Sequence, residues 1–287
     1  MHMPLATAGK AHRPDESKSE DRPGDAAAGS GQVLSFPEGE SMENQALPFA
    51  DAARAAVYEA IFSRRDVRGQ FLPDQPVDDA ALSRLLMAAH HAPSVGFMQP
   101  WNFLLVRSPE VKARVHAAFS AANAEAATLF PDERRELYSR LKLQGILDAP
   151  INLCITCDRQ RTGPVVLGRT HMKTMDLYSS VCAVQNLWLA ARAEGLGVGW
   201  VSIFHETDLQ DALGIPHEIV PIAYLCIGHV SHFNDRPDLE KAGWLPRLPV
   251  EELVFHERWG EAAPTDDSLT RRLQAAQEAL RAGQPLP

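Results

Sequence analysis

Apolar residues follow two patterns along this chain, one of helical length and one of strand length. A segment that starts at Asp78 or Asp79 and stops before Pro93 places leucines and alanines three to four positions apart, as on one face of a helix. Short uninterrupted apolar runs at 151–157 and 219–230 are typical of buried strands. The run at 175–194 is apolar nearly all round, which indicates a helix buried in a core or a subunit interface. Helices that alternate with buried strands favour a sheet covered by helices on both faces.

The remaining elements are predicted from periodicity and from residues that start or stop helices. Thr207 is predicted to cap a short helix that ends at Gly214. Ser108, Pro109 and Glu110 supply a cap, a first-turn proline and an acid for another helix. Further helices are expected over about 49–62 and 132–145, and further strands over 101–107 and 198–204.

Composition divides the chain into three parts. Residues 1–45 are rich in Gly, Pro, Ser, Ala and charge, which predicts a disordered N-terminal extension. Residues 46–261 contain no linker and are long enough to bury roughly 70% of their unfolded surface as one domain. Residues 262–287 are expected to form a peripheral tail with a short helix.

Charge and cysteine content restrict the partners. The net charge of −9 provides no overall field for nucleic acid or an anionic membrane. The apolar run at 175–194 contains Asp176 and Arg192, which are costly in hydrocarbon, so a membrane span is not expected. No apolar run of signal-peptide length opens the sequence, so we expect a cytoplasmic protein. Cys154 and Cys157 lack a second cysteine pair or a histidine pair to complete a zinc site, and a structural role is favoured.

The segment "SRRDVR" is the sharpest chemical feature. It places Arg64, Arg65 and Arg68 around one carboxylate, Asp66, where a helix gives way to a loop. Guanidinium groups bind phosphate through paired charged hydrogen bonds. An exposed, salt-bridged helix end would have the same pattern, so the segment by itself leaves both interpretations open.

Two glycine-containing segments offer a slot for a flat ligand. "APSVGFMQPWNF" (92–103) combines apolar residues with Ser94 and Gln99, as a flavin ring would require, although an ordinary loop fits as well. "GLGVGWVSIF" (195–204) contains G-x-G-x-G, but it follows a helix and enters a strand, the reverse of a dinucleotide-binding motif. Ser202 is not in a G-x-S-x-G context, so a hydrolase nucleophile is poorly supported. These glycines are expected to allow close backbone approach to a ligand.

Taken together and in order, "RRDVR", "APSVGFMQPWNF", "GVGWVSIF" and "RLPVEELVF" resemble the nitroreductase-like flavoprotein superfamily. With "LGRTHMKTMDLYSSVCAVQNLWLAARAEG" they are similar to its 5,6-dimethylbenzimidazole synthase family, over about residues 51–260. The resemblance implies an α+β, nitroreductase-like fold. Its central sheet would be mixed, mainly antiparallel and covered by helices, and two chains would form an intertwined homodimer with FMN sites at the interface.

The resemblance also implies roles for individual residues. Arg64, Arg65 and Arg68 would hold the FMN phosphate and ribityl chain, and Arg247 would add a phosphate contact. Ser94 and neighbouring loop groups, Gln99 among them, would approach the ring from the partner chain. Backbone groups near the reactive edge of the ring would come from Gly199, Trp200, Val201 and Ser202.

Asp66 distinguishes the possible activities. General nitroreductases commonly have serine there, so the carboxylate favours the synthase, in which reduced FMN is the substrate and molecular oxygen the cosubstrate. The implied products are 5,6-dimethylbenzimidazole, the lower ligand of vitamin B12, and erythrose 4-phosphate. Asp66 would transfer a proton at the ribityl carbon attached to the ring, and Ser202 would position the ring or the oxygen adduct. Burial would raise the pKa of Asp66 and the arginines would lower it.

Reduction of FMN by NAD(P)H is expected to depend on a separate flavin reductase. Two other activities stay open at this point. One is a conventional FMN-dependent NAD(P)H nitroreductase or flavin reductase, and the other is a non-catalytic flavin-binding protein. Asp66 and the long connection at 160–173 are the features that separate them.

Overall fold

Four strands form a sheet at the centre of the fold, in the computed structural model that describes residues 47–261, 264 and 266–284. The strands are β1 (Trp101–Val106), β2 (Ile151–Asp158), β3 (Leu196–Val201) and β4 (Ile219–His229). Their order is β1-β2-β4-β3, and all three pairs are antiparallel. An isolated parallel bridge outside these strands joins Asp66 to Val198. The α+β fold with a mainly antiparallel sheet is thus confirmed. The extension predicted at 1–45 lies outside the described residues.

Helices surround this sheet. They are α1 (Asp51–Ser63), α2 (Asp79–His90), α3 (Pro109–Thr128), α4 (Asp132–Ser139), α5 (Met175–Ala193), α6 (Glu206–Leu213), α7 (Asp238–Lys241) and α8 (Ser268–Arg281). Short 3₁₀ turns lie at Val95–Phe97 and Val250–Leu253. None of the helices described is both long and apolar enough to cross a bilayer.

Two predicted helix boundaries were wrong. The helix expected to reach residue 145 ends at Ser139, because Leu143 and Ile146 are drawn into the core. Thr207 is not a cap: the backbone N–H of Leu209 already bonds to the carbonyl of His205, so α6 starts earlier. The predicted stop at Gly214, in the left-handed region at φ 67°, is confirmed.

Both faces of the sheet are covered, as the sequence predicted. On one face, Leu85 of α2 and Leu187 of α5 are fully buried in one apolar cluster. On the other face, Val115 of α3 and Leu209 of α6 are buried in a second cluster. The sheet thereby lies between two helical layers, with β3 at one edge.

The segment after α1 runs along the edge strand β3. Val67 donates its backbone N–H to the carbonyl of Val198 at 3.0 Å, and Leu72 donates to the carbonyl of His229 at 2.9 Å. The first bond covers part of the open edge at β3, and the second attaches the segment to the end of β4. They also place Asp66 beside the C-terminal half of β3.

Candidate active site

The carboxylate of Asp66 is fixed by two donors at the end of β3. Its Oδ1 accepts a hydrogen bond from the backbone N–H of Trp200 at 3.0 Å, and its Oδ2 accepts one from Arg68 at 2.5 Å. A longer bond of 3.4 Å links Arg68 to the carbonyl of Trp200. The structure thus brings together Asp66, Arg68 and Trp200, which the sequence analysis assigned to one site.

Burial raises the pKa of the Asp66 carboxyl above its ordinary value. The positive charges of Arg68 and Arg64 and the Trp200 hydrogen bond act in the opposite direction but do not outweigh it. The sequence left this balance open. Because the side chain is still 35% exposed, the carboxyl remains within reach of a ligand. A raised pKa brings a carboxylic acid closer to the range in which it exchanges protons at neutral pH.

Gly199 permits this arrangement. A Cβ atom at this position would lie 2.0 Å from the carbonyl oxygen of Val67 and 3.7 Å from Oδ1 of Asp66. The space that the missing side chain of Gly199 leaves is thus occupied by the chain's own backbone, and the approach of a ligand to this strand stays a prediction. The tight contact brings Asp66 against β3.

Positive charge accumulates beside Asp66, where the guanidinium groups of Arg64, Arg65, Arg192 and Arg247 form an arginine cluster. The Arg64 guanidinium lies over the ring of Trp188 at 4.6 Å. Burial and the charge of Arg247 lower the pKa of Arg64. Burial also lowers the pKa of Arg65, and the charges of the three other arginines in the cluster add to this effect. Burial and the repulsion between these guanidinium groups thus both disfavour the concentration of positive charge in the cluster.

Several of the donors have no acceptor among the residues that the structure describes. Arg65 uses its Nη1 to bind the carbonyls of Phe62 and Arg64, both at 2.8 Å. Its Nε is nevertheless buried without an acceptor, and the same holds for Nε of Arg68 and of Arg192. Buried donors of this kind are costly unless a ligand satisfies them. An anion with several oxygens would do so.

The loop predicted to contact a ring lies elsewhere on the chain. Ser94 accepts a hydrogen bond from the backbone N–H of Gln99 at 3.0 Å, and Phe97 and Gln99 adopt φ values of 52° and 48°. The backbone N–H of Val95 bonds to Ser179, near the start of α5. On α5, Trp188 is the ninth residue after Ser179, which corresponds to a rise of roughly 13.5 Å along the helix.

Within one chain, the structure does not bring this loop and the arginine cluster together. No hydrogen bond in the described part of the chain joins residues 92–100 to the cluster. The placement of Ser94 and Gln99 beside a ring held by a partner chain stays a prediction.

Ser202 follows β3 directly and is exposed. Together with Trp200, Val201 and Tyr224 it lines a cavity of about 140 Å³. The indole ring of Trp200 lies 6.3 Å from that of Trp188, on which Arg64 stacks. The predicted residues Trp200, Val201 and Ser202 therefore line the cavity, and Trp200 also lies near the ring on which Arg64 stacks.

A buried ion-pair cluster fastens the long connection at 159–174 onto α5. The carboxylate of Asp176 is fully buried and accepts bonds from Arg159 at 3.0 Å, from Arg169 and from the backbone N–H of Leu177 at 2.9 Å. Burial by itself would raise the pKa of Asp176, but the hydrogen bonds from the two arginines together lower it. The sequence gave no sign of this anchor.

Cysteines take no part in this site. Cys154 is fully buried, and burial raises the pKa of its thiol to about 12, as suits a structural residue. Over the described residues, no three His, Cys, Asp or Glu side chains are grouped so that they could hold a metal ion.

The fold and this site define the class of protein. The model of the nitroreductase family matches residues 61–229, and the chain belongs to that family. A solved structure of oxidized iodotyrosine deiodinase bound to FMN and 3-iodo-L-tyrosine has the same fold. Its TM-score is 0.54 and its identity 20%, over 70% of this chain and 98% of that one.

Within the family, the chain is similar to two 5,6-dimethylbenzimidazole synthases. The protein of Rhodospirillum rubrum is 42% identical over 203 residues, which cover 70% of this chain and 95% of the relative. The protein of Rhodobacter capsulatus is 41% identical over 203 residues, which cover 71% of this chain and 97% of the relative.

Proposed function

We propose that this chain is an enzyme that uses molecular oxygen to fragment reduced FMN into 5,6-dimethylbenzimidazole and erythrose 4-phosphate. The relatives of that name, 38–42% identical to it, support the proposal. The observation on which it chiefly depends is the position of Asp66. Its carboxylate is held by Trp200 and Arg68 next to a cluster of guanidinium groups.

FMN fits the residues that are present. Its phosphate would supply oxygen acceptors for the buried Nε donors of Arg65 and Arg68, which lack acceptors among the described residues. Its charge would also offset the positive charge of the arginine cluster. Arg64, Arg65, Arg68 and Arg247 are the residues proposed to hold the phosphate and the ribityl chain.

Reduced FMN supplies the electrons for the reaction with oxygen and is itself the molecule broken down. Asp66 would accept the proton from the ribityl carbon attached to the ring. A carboxylate with a raised pKa is a stronger base than an ordinary one, which suits this role. Ser202, exposed at the end of β3, would position the ring through its hydroxyl.

A homodimer would complete the site, because Ser94 and Gln99 would then reach the ring from the partner chain. In support, α1 contains no buried residue and exposes Tyr58 and Phe62, and residues 245–255 expose several leucines. Exposed apolar patches of this kind are typical of subunit interfaces. Light scattering after gel filtration should give twice the mass of 31.5 kDa; a monomer would contradict this part of the proposal.

Product analysis tests the proposed reaction. The purified protein is mixed with reduced FMN in air, and 5,6-dimethylbenzimidazole is sought by mass spectrometry. A conventional nitroreductase would instead oxidise NAD(P)H with a nitroaromatic, and a flavin-binding protein would leave FMN intact. Rapid mixing with NADPH addresses the reductase: we expect no fast reduction of bound FMN unless a separate flavin reductase is added.

The variant Asp66→Asn tests the role of the carboxylate. It should bind reduced FMN but form the product at least about 100-fold more slowly, as expected when a positioned base is removed. Asp79→Asn is the matched control, because Asp79 is an exposed carboxylate paired with Arg107 on α2. If Asp66→Asn and Asp79→Asn both made the product at the wild-type rate, Asp66 would not be the base.

A further inference from the structure

Arg192 is a member of the arginine cluster that the sequence motifs did not indicate. It lies in the last turn of α5, and its guanidinium is stacked over the ring of Phe233 at 4.4 Å. After burial and the charges of Arg64 and Arg247, its positive charge also contributes to lowering the pKa of Arg65. Its Nε is buried without an acceptor among the residues described.

A helix-end cation is the simplest explanation of this arginine, since a positive charge suits the C-terminus of a helix. That explanation does not account for the buried donor. It also leaves unexplained why Arg192 lies one helical turn after Trp188, whose ring contacts Arg64 and whose indole N–H bonds to the carbonyl of Arg65, since like charges brought close together repel.

The nearby carboxylates are already engaged. Glu194, two residues further along the chain, receives two hydrogen bonds of 2.7 Å from Arg84. Asp235 pairs with Lys241 at 3.2 Å, and Asp66 pairs with Arg68 at 2.5 Å. Asp238, which also acts on Asp66, accepts a hydrogen bond from Asn234 instead. Among the described residues, Arg192 thus forms no ion pair with a carboxylate, and an anionic ligand would supply one.

We propose that Arg192 binds the phosphate of FMN and thereby selects phosphorylated flavin over riboflavin. This inference depends on the proposed function, because it assigns a further residue to the same ligand. Stacking on Phe233 restrains the guanidinium through one face and leaves its N–H edge available to phosphate oxygens. Arg192 would act beside Arg65, whose Nε likewise lacks an acceptor within the described chain.

The test compares two ligands that differ only in the phosphate. Dissociation constants for oxidised FMN and for riboflavin are measured by quenching of flavin fluorescence, in the wild type and in Arg192→Gln. We expect Arg192→Gln to weaken FMN binding about 10- to 100-fold, the usual effect of losing a charged hydrogen bond. Riboflavin binding should change less than about two-fold, since riboflavin offers no phosphate.

Two further variants keep the test interpretable. Arg107→Gln removes an arginine that pairs with Asp79 away from the cluster, and it should leave both affinities unchanged. Arg192→Lys keeps the charge but not the planar donors, so it should lose part of the preference for FMN. It replaces Arg192→Gln if the glutamine variant does not fold.

The outcomes separate this inference from the proposed function. Equal weakening of FMN and riboflavin would assign Arg192 a structural role and overturn the inference, as would unchanged FMN binding. If the wild type itself bound FMN no more tightly than riboflavin, the proposed phosphate site would be wrong as well.

Discussion

Replacing Gly199 by alanine tests how Asp66 is positioned. The new Cβ would lie 2.0 Å from the carbonyl oxygen of Val67, whereas carbon and oxygen atoms normally stay about 3.3 Å apart. The backbone around Val67 must then move by roughly 1 Å, because a carbonyl cannot turn away as a flexible side chain can. The movement would stretch the bond from Val67 to Val198 and the bond from Trp200 to Asp66, both 3.0 Å long.

The cost follows from these contacts. Overpacking costs about 1–3 kcal/mol, and a weakened hydrogen bond to a charged group about 1–2 kcal/mol more. We therefore expect Gly199→Ala to lower the free energy of unfolding by about 2–5 kcal/mol, or the Tm by about 5–15 °C. Urea unfolding followed by tryptophan fluorescence measures the loss, and FMN binding should weaken in parallel.

The matched control is Gly69→Ala. Gly69 lies three residues after Asp66, and a Cβ there would meet no heavy atom within 4 Å. This change should alter the free energy of unfolding by less than about 0.5 kcal/mol. If Gly199→Ala unfolded at the same urea concentration as Gly69→Ala, close backbone packing would not be what positions Asp66.

Further predictions follow from charged groups that are buried or partly buried. Asp176→Asn should cost about 3–5 kcal/mol in urea unfolding, because Arg159 and Arg169 lose a buried carboxylate; a loss below 1 kcal/mol would contradict this. The folded state lowers the pKa of Asp176, so the stabilisation that this carboxylate provides is complete above its unfolded pKa of about 4. It disappears as the pH falls through the lower pKa of the folded state. Only the wild type should therefore lose this stabilisation in acid. Lys112→Met should lower the Tm by roughly 4–10 °C, because two backbone carbonyls lose their bonds to its ammonium group, and an unchanged Tm would refute it. Product formation should rise with pH through the raised pKa of Asp66, and Asp66→Asn should lack this rise.

Much of the fold could be predicted from local patterns. The run at 151–157 is apolar at nearly every position, and β2 is indeed buried along almost its whole length. The end of α6 was predictable because Gly214 adopts a left-handed conformation that favours glycine. The early end of α4 was not, because Leu143 leaves the helical path to join a core that distant residues build.

The candidate site was predictable only in part. Asp66 and its arginines lie in one short segment, so their grouping was visible in the sequence. Arg192 is more than 120 residues away along the chain from Arg65, and a lone arginine in an apolar helix gives no local indication of its neighbours. In the sequence, Asp176 is a polar residue within a core helix. Its partners Arg159 and Arg169 reach it only because the connection before α5 folds back onto the helix.

The length of α5 has a consequence for how this chain can change during evolution. Ser179 accepts a hydrogen bond from Val95 of the 92–100 loop, and Trp188 donates one to the carbonyl of Arg65. The number of helical residues between Ser179 and Trp188 fixes the distance between these two contacts. One inserted residue would turn everything beyond it by about 100° and move it by about 1.5 Å, which would carry Trp188 and Arg192 away from their partners. We expect homologous chains to exchange residues in this helix freely on its exposed side while gaining or losing residues only in the loops around it.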